Sequence, residues 1–444
     1  MDFEKWLDQN NDAKLYAHFD SKNITIKKVI KEIQDDKNIV THSFMPFIHT
    51  EIVFKKYSHG ERKLKKRQIY YSSHYDRCIY QYYSYLLNEK YNEYVKQHGI
   101  NDVSIAYRNN LDKKNNVDFS KIAFDFIKKQ GKCLIFIGDF KDFFDTLDHN
   151  YLKSNINTLL QTSVLPEDYY KVFKSLTKFS YVDFKDILSF YSLEDSVKNR
   201  RFLNRKDKIM SIQKLRENSD LIKTHLEKGI PQGSALSATL SNIYMILFDE
   251  KMNNYIKSKN GLYLRYSDDT IFIIPFTEEI DIKKENAAIQ GLIKDVPNLV
   301  LQSEKTEVYI YDNGKITNEN KKVGNNGQSK NIIDYLGFSF DGKYVSVRDK
   351  TISKYFYRAY KKADTIAYHN GMINGKKISC KKIYKTYTLK GSKATGKNHG
   401  NFLTYIKRAS KVYNEEPKVK TVINTHYGKI KKRINKSNKK TVEK

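Results

Sequence analysis

Leu262-Tyr263-Leu264-Arg265-Tyr266-Ser267-Asp268-Asp269-Thr270-Ile271-Phe272-Ile273-Ile274 holds two apolar, strand-like runs around a short polar turn. The runs are Leu262 to Leu264 and Ile271 to Ile274, and the turn is Tyr266-Ser267-Asp268-Asp269. This is the pattern of a β-hairpin, and it carries both acids to one exposed tip. Adjacent carboxylates repel, so a fold that keeps them usually needs a cation there. A solvated turn is the alternative, because Asp is a common turn former. Two further segments decide between these readings.

The first is Phe136-Ile137-Gly138-Asp139-Phe140-Lys141-Asp142-Phe143-Phe144-Asp145. Cys133 to Ile137 reads as a buried strand, and Asp139 comes at its end, where a side chain can leave the core. The second is Gly229-Ile230-Pro231-Gln232-Gly233, with small residues after it that open an apolar helix running to Phe248. One Pro and two Gly in five residues make a loop whose backbone can approach a flat ligand.

A strand-end Asp, a Pro-Gln-Gly loop with its helix, and an Asp-Asp hairpin, in that order, closely resemble the palm of the reverse transcriptases. Upstream, Ala106-Tyr107-Arg108 resembles the fingers motif that holds the incoming triphosphate, with Lys65-Lys66-Arg67 in the basic segment before it. Downstream, Ser303-Glu304-Lys305-Thr306 resembles the palm lysine motif, and Tyr335-Leu336-Gly337-Phe338 the primer-grip hairpin. The resemblance covers roughly residues 60–345. It implies an α+β fold: a right-hand polymerase with fingers, an antiparallel-sheet palm and an α-helical thumb. It also implies RNA-directed DNA synthesis, adding deoxynucleotides to a 3′-hydroxyl by two-metal catalysis.

The resemblance assigns roles residue by residue. Asp139, Asp268 and the Phe140 carbonyl would hold two Mg²⁺ ions, with Mn²⁺ as the other candidate, and Asp269 would tune the site. Hard Mg²⁺ takes carboxylate, phosphate and water oxygens, often with one or two protein carboxylates per ion. Arg108, Lys65 and Arg67 would bind the nucleotide, and Gln232 would pack on its ribose. Phe144, five residues after Asp139, stands where the family places its sugar gate; a core Phe is the alternative. Lys305 would protonate the pyrophosphate leaving group, or else is a solvated lysine. Leu336 and Gly337 would grip the primer.

Composition agrees with a nucleic-acid partner. Among 444 residues, 80 Lys and Arg face 51 Asp and Glu, a formal net charge of +29. Such an excess favours phosphate binding at low salt. From Lys376 to Lys444 there are 21 basic and 3 acidic residues, so that segment carries an excess of 18. Tyr384, Tyr387, Tyr405, Tyr413 and Tyr427 interleave with it, and aromatics among cations suit stacked bases. The expected partners are an RNA template, in one form a dedicated non-coding RNA, a DNA primer and product, and deoxynucleoside triphosphates. Cys78, Cys133 and Cys380 are odd in number and far apart, which suggests neither a disulfide framework nor a metal cluster. No apolar run reaches membrane-span length and no signal peptide opens the chain, so no membrane association is expected and the cytoplasm is the expected location.

The anchors give an organisation. Residues 1–130 hold an N-terminal extension and fingers, mostly helical with one basic hairpin. Residues 131–345 form the palm, interrupted at about 150–224 by a mainly helical, charged insertion. Its Asn199-Arg200-Arg201 and Asn204-Arg205-Lys206 touch template or form a solvated face. Residues 346–444 form a basic helical thumb and tail, with an apolar stripe of Tyr355, Tyr360, Ala363, Ile366 and Ala367, a glycine- and lysine-rich break at 370–400, a helix at 401–413 and a solvated tail after Lys429. No RNase H-like acids or nuclease motif follow the palm, and the retron NAxxH and VTG signatures are missing; Ala394-Thr395-Gly396 only approaches the second. The subgroup resembled is the single-chain reverse transcriptases of antiphage defence. A template-independent or protein-primed DNA polymerase, a retron-type or mobile-element enzyme, and a non-catalytic RNA-binding protein remain alternatives.

Overall fold

The computed structural model describes the chain except residues 1, 59–60, 113, 218, 226, 326–329, 370–371, 374–375, 378–379, 394–399 and 443–444. The Ala394-Thr395-Gly396 segment lies outside the described residues. The strands, in chain order, are β1 (Phe47–Ser58), β2 (Glu61–Tyr71), β3 (Lys132–Asp139), β4 (Ser180–Asp183), β5 (Lys223–Thr224), β6 (Leu262–Tyr266), β7 (Asp269–Pro275), β8 (Glu307–Asp312), β9 (Lys315–Asn318), β10 (Ile333–Tyr335), β11 (Phe338–Phe340), β12 (Val345–Val347), β13 (Met372–Ile373) and β14 (Lys376–Lys377).

The palm is the antiparallel sheet β6-β7-β3-β8-β9. Its central strand shows why the sequence reads as unbroken apolar runs. Leu134 and Phe136 of β3 enter one core with Tyr263, Phe272 and Val308. Cys133 and Ile135 enter a second with Leu264, Ile271, Ile273 and Tyr309. Both faces are covered, so polar alternation is lost. The first core continues into helices Ile26–Ile33 and His74–Gln97 on the fingers side. The second continues through β10 to β12 into the C-terminal helices. The palm sheet is thus a wall between two cores, and truncating Phe136 to Ala would cost about 3–5 kcal/mol.

The fingers carry the sheet β2-β1-β4-β5. The insertion therefore contributes strands as well as helices: β4 pairs in parallel with β1, Phe47 opposite Tyr181. The apolar helix expected to run to Phe248 is two helices, Ser237–Tyr244 and Ile246–Lys257, interrupted at Met245. Arg200 and Arg205 of the insertion are in ion pairs with Asp195 and Asp207.

The thumb begins with helix Asp349–Tyr368, which buries Tyr355, Phe356, Ala359, Ala363, Ile366 and Ala367. Helix Phe402–Val412 matches the expected 401–413. The expected solvated tail after Lys429 is instead part of a helix, Pro417–Val442. Ile430 and Ile434 are buried, and Arg433 donates to both carboxylate oxygens of Asp364 at 2.9 and 2.5 Å. The lysines between them masked a helical apolar stripe: Val419, Val422, Ile430 and Ile434.

Candidate active site

Asp139 ends β3 directly opposite Asp269, the first residue of β7. Cross-strand partners in an antiparallel pair share a face at close range, so the two acids are neighbours. Asp268 completes the set from the turn. Its carbonyl accepts from the Phe140 amide at 3.1 Å, which ties the turn to the end of β3. Gln302 donates its amide to the Asp139 carbonyl at 2.9 Å, and Lys141 to that of Val300 at 2.9 Å, so the chain beyond β3 is held on its other side too.

The charges in this cluster are strained as expected for crowded carboxylates. Asp268 is raised above its ordinary range, first by lost hydration and then by Asp139. Asp269 is pushed up to about 7, first by lost hydration and then by Asp268 and Asp139, although its outer edge is exposed. Lys305, at the end of the single turn Ser303–Lys305, forms an ion pair with Asp139. An ammonium thus stands against the carboxylate expected to hold a metal.

The Phe140 ring is buried and packs with Phe143 and Phe248, so only its backbone can reach a substrate. Phe143 is core and Phe144 is half-buried, which leaves the second ring available at the surface. The Pro231-Gln232-Gly233 loop is clipped to the segment around it. Ile230 donates its amide to the Phe144 carbonyl at 2.9 Å, and Gly229 to that of Leu147 at 2.8 Å. The Gln232 side chain donates to both Asp145 oxygens at 3.2 Å. Its carbonyl accepts from Tyr70 of β2 at 2.8 Å, joining palm to fingers. Gly229 and Gly233 have φ of 84° and 117°, and a Cβ on them would meet backbone atoms of Asp145 at 2.6 Å and Tyr70 at 2.7 Å. Only glycine fits either position.

Arg108 departs from its expected role. Its Nε donates to Asn92, one terminal nitrogen to the Asn101 and Ser104 carbonyls, and the other to the Asn101 side chain, at 2.6–3.2 Å. A guanidinium so occupied braces the 101–108 loop and is not a free fork for a triphosphate. Lys65 and Arg67 are exposed on β2, with Arg67 over the Phe54 ring. Leu336 and Gly337 make the two-residue turn between β10 and β11, with φ of 45° and 94°. They line a cavity of about 330 Å³ together with Asn116, Ile137, Tyr266, Asp269, Asp334, Tyr335 and Arg348. The expected primer grip and one catalytic-turn acid therefore face the same space.

The family described as reverse transcriptase (RNA-dependent DNA polymerase) matches residues 65–340. The chain belongs to this family. Its members are RNA-directed DNA polymerases, nucleotidyltransferases by class. No curated protein matches the sequence. Among solved structures, this reverse transcriptase is similar to telomerase from Candida albicans in complex with a TWJ fragment of telomeric RNA, at 13% identity and a TM-score of 0.41, covering 91% of this chain and 58% of that one. It is also similar to telomerase from Candida tropicalis with a TWJ fragment of telomeric RNA, at 15% identity and a TM-score of 0.41, covering 88% and 56%. The chain thus spans less than two thirds of the length of these telomerases.

Two residues of the candidate site escaped the motif reading. Asn116, at the start of helix Asn116–Gln130, donates to the Leu336 carbonyl at 3.0 Å, and nothing in its sequence context signals that. Arg265 is wholly buried beneath the catalytic turn. Its signal was a lone charge inside an otherwise apolar strand. Among the described residues no group of three His, Cys, Asp or Glu side chains forms a metal-ligand set, and no helix is long and apolar enough to cross a membrane.

Proposed function

We propose that the protein copies an RNA template into DNA, extending a primer 3′-hydroxyl with deoxynucleoside triphosphates at Asp139, Asp268 and Asp269. One observation carries the reading: carboxylates brought together from a strand end and a hairpin turn, with Asp268 and Asp269 raised first by lost hydration and then by the neighbouring acids. That charge state fits a divalent cation. Mg²⁺ needs only one or two protein carboxylates, with phosphate and water oxygens completing its shell. Asp139 and Asp268 would hold two such ions, with the Phe140 carbonyl, and Mn²⁺ is the other candidate. When bound, the ions supply charge stabilisation for the attacking and leaving oxygens.

The chain's own groups do the rest. Lys305, released from Asp139, is a proton donor for the departing pyrophosphate. Lys65 and Arg67 offer cations to the triphosphate in place of the occupied Arg108. Gln232 and Phe144, locked together through Ile230 and Asp145, shape the nucleotide's sugar site. Leu336 and Gly337 seat the primer end beside Asp269. The functional division follows: fingers in residues 1–130 joined by β4 and β5, palm in 131–345, thumb from 346. An RNA template is supported by family membership, and a dedicated non-coding RNA by the strongly basic thumb. A setting in antiphage defence rests on the sequence resemblance alone; loss of phage resistance in cells carrying an Asp139→Asn protein would test it.

The deciding assay is primer extension on poly(rA)–oligo(dT) with Mg²⁺, comparing dTTP and UTP. The wild type should add dTTP, and chelation or Asp139→Asn should lower the rate by several orders of magnitude. Phe144→Ala should admit UTP, relaxing discrimination by roughly a hundredfold in relative kcat/KM. Equal synthesis without template would favour the template-independent reading. Wild-type preference for UTP would end the proposal.

A further inference from the structure

The Arg265 side chain makes five hydrogen bonds. Its Nε and one terminal nitrogen grip Asp249 in a bidentate pair at 2.8 and 2.6 Å. That terminal nitrogen also donates to Ser104 Oγ at 3.1 Å. The other donates to Asn242 Oδ1 at 3.3 Å and to the Ser267 carbonyl at 3.1 Å. Arg265 and Asp249 are both at 0% exposure. A buried ion pair is a weak source of stability, because desolvation cancels most of the attraction and an apolar pair of similar volume often does as well. The arrangement therefore calls for a reason beyond holding the palm together.

The reason lies in the bond to Ser267. Ser267 has φ of 62°, whereas Asp268 keeps a negative φ. A positive φ at the first central residue alone is the type II′ turn; a positive φ at both is type I′. The two differ by a flip of the peptide between the central residues, here Ser267–Asp268. That flip turns the Ser267 carbonyl over and re-aims the Asp268 side chain. Type II′ favours glycine at the first position, and serine there is strained. The Arg265–Ser267 bond holds the carbonyl in the II′ orientation. The Asp268 carbonyl is held separately, by the Phe140 amide.

The same guanidinium reaches two nucleotide-side elements. Asn242 lies on helix Ser237–Tyr244, which follows the Pro-Gln-Gly loop, and its side chain also donates to the Ala106 carbonyl at 2.9 Å. Ser104 begins the segment leading to Tyr107 and Arg108, and the Arg265 backbone bonds to the residues on either side of it: Ile105 donates to the Arg265 carbonyl at 2.9 Å, and Arg265 donates to that of Val103 at 2.8 Å.

We propose that Arg265 is a positioning residue, which sets the Ser267–Asp268 peptide, and hence the Asp268 carboxylate, in register with the fingers loop at Ser104 and the helix at Asn242. The proposal rests on the polymerase reading above. Two variants test it: Arg265→Lys, which keeps a charge for Asp249 but cannot span Asp249 and Ser267 together, and the double variant Arg265→Met with Asp249→Leu, which removes the pair without orphaning a charge. The readouts are the thermal transition and primer extension on poly(rA)–oligo(dT) as a function of dTTP and Mg²⁺. The expected result is a cooperative transition for at least one variant, a fall of about 100-fold in kcat, a dTTP KM within threefold of wild type, and a higher Mg²⁺ requirement. Misplacing a reacting group by about an ångström has that effect on rate. Wild-type kcat in a folded variant overturns the proposal. So does loss of the cooperative transition in both, since Arg265 would then merely support the fold. An inactive wild type instead overturns the polymerase reading, so the two failures are distinguishable.

Discussion

Two hairpin turns face the same cavity, and they are held in opposite ways. Tyr266-Ser267-Asp268-Asp269 is fixed from within the palm, by the buried Arg265 and by the Phe140 amide. Tyr335-Leu336-Gly337-Phe338 is fixed from outside its own small sheet. Its Leu336 carbonyl accepts from Asn116, which also donates to the Tyr405 hydroxyl of helix Phe402–Val412 at 3.3 Å. Its Gly337 carbonyl accepts at 3.1 Å from the Arg348 amide, at the start of the first thumb helix. The turn with the paired acids is tied to rigid core, while the Leu336-Gly337 turn is tied to helix Asn116–Gln130 and to the start of helix Asp349–Tyr368. Under the proposed function, the difference would be a division of labour: carboxylate geometry set once, and primer placement following the C-terminal helices.

The sharpest way to break that division is to alter each turn and watch which parameter moves. Asp268→Asn should lower kcat by at least about a thousandfold with primer–template affinity within threefold of wild type, measured by single-turnover extension and filter binding. A large loss of affinity would mean that the catalytic turn also grips the primer. Deleting residues 430–444 comes next. It strips Ile430, Ile434 and Arg433 from the thumb, and buried isoleucines are worth about 2–5 kcal/mol each. Affinity for primer–template should fall by about tenfold or more across a salt series, with kcat at saturation nearly unchanged. An unchanged affinity would detach the thumb from the second turn.

These contrasts also show what the sequence could convey. The palm was legible because its elements are local and strongly patterned: β3, β6 and β7 are short apolar runs, each ended by an acid or a turn residue. Phe143 is core and Phe144 half-buried, a separation that two adjacent identical residues do not reveal in the sequence. The thumb was less legible, since a Lys-rich surface hid the Val419 to Ile434 stripe. Strands β4 and β5 were illegible because they pair only through contacts distant in sequence, Phe47 with Tyr181 and Ser180 with Thr224. The bracing role of Arg108 was illegible for a related reason: a motif gives the residue type, whereas its hydrogen bonds depend on Asn92 and Asn101. Arg265 and Asp249 are 16 residues apart, and only the fold makes them a pair.

Asn116→Ala tests the grip at a finer scale. It removes the bonds to Leu336 and Tyr405 without touching the catalytic turn. The bond to the Leu336 carbonyl alone is worth about 1 kcal/mol, or roughly a fivefold change in an equilibrium. The KM for primer–template should rise by about that factor, with kcat within twofold. A fall in kcat alone would show that the two turns share their support.

The smallest effect separates the turns by charge. Leu336 and Gly337 do not titrate, whereas Asp269 is pushed up to about 7 by lost hydration and by Asp268 and Asp139. A carboxyl raised above its unfolded value of about 4 keeps a proton in the folded chain that the unfolded chain has released. Its favourable contribution is complete below pH 4 and is lost as pH rises through about 7. In chelator, the wild type should therefore lose stability relative to Asp269→Asn between about pH 4 and 7. Because the outer edge of Asp269 is exposed, water screens the repulsion, and the difference should be about 1 kcal/mol, near 2 °C in Tm for a chain of this size. Saturating Mg²⁺ should flatten the difference, since a metal takes the ionised carboxylates. Gly337→Ala should lower Tm equally at every pH, because its strain comes from φ alone. Parallel wild-type and Asp269→Asn curves in chelator would mean that the acids do not strain one another without a cation, and the electrostatic half of the contrast between the turns would fall.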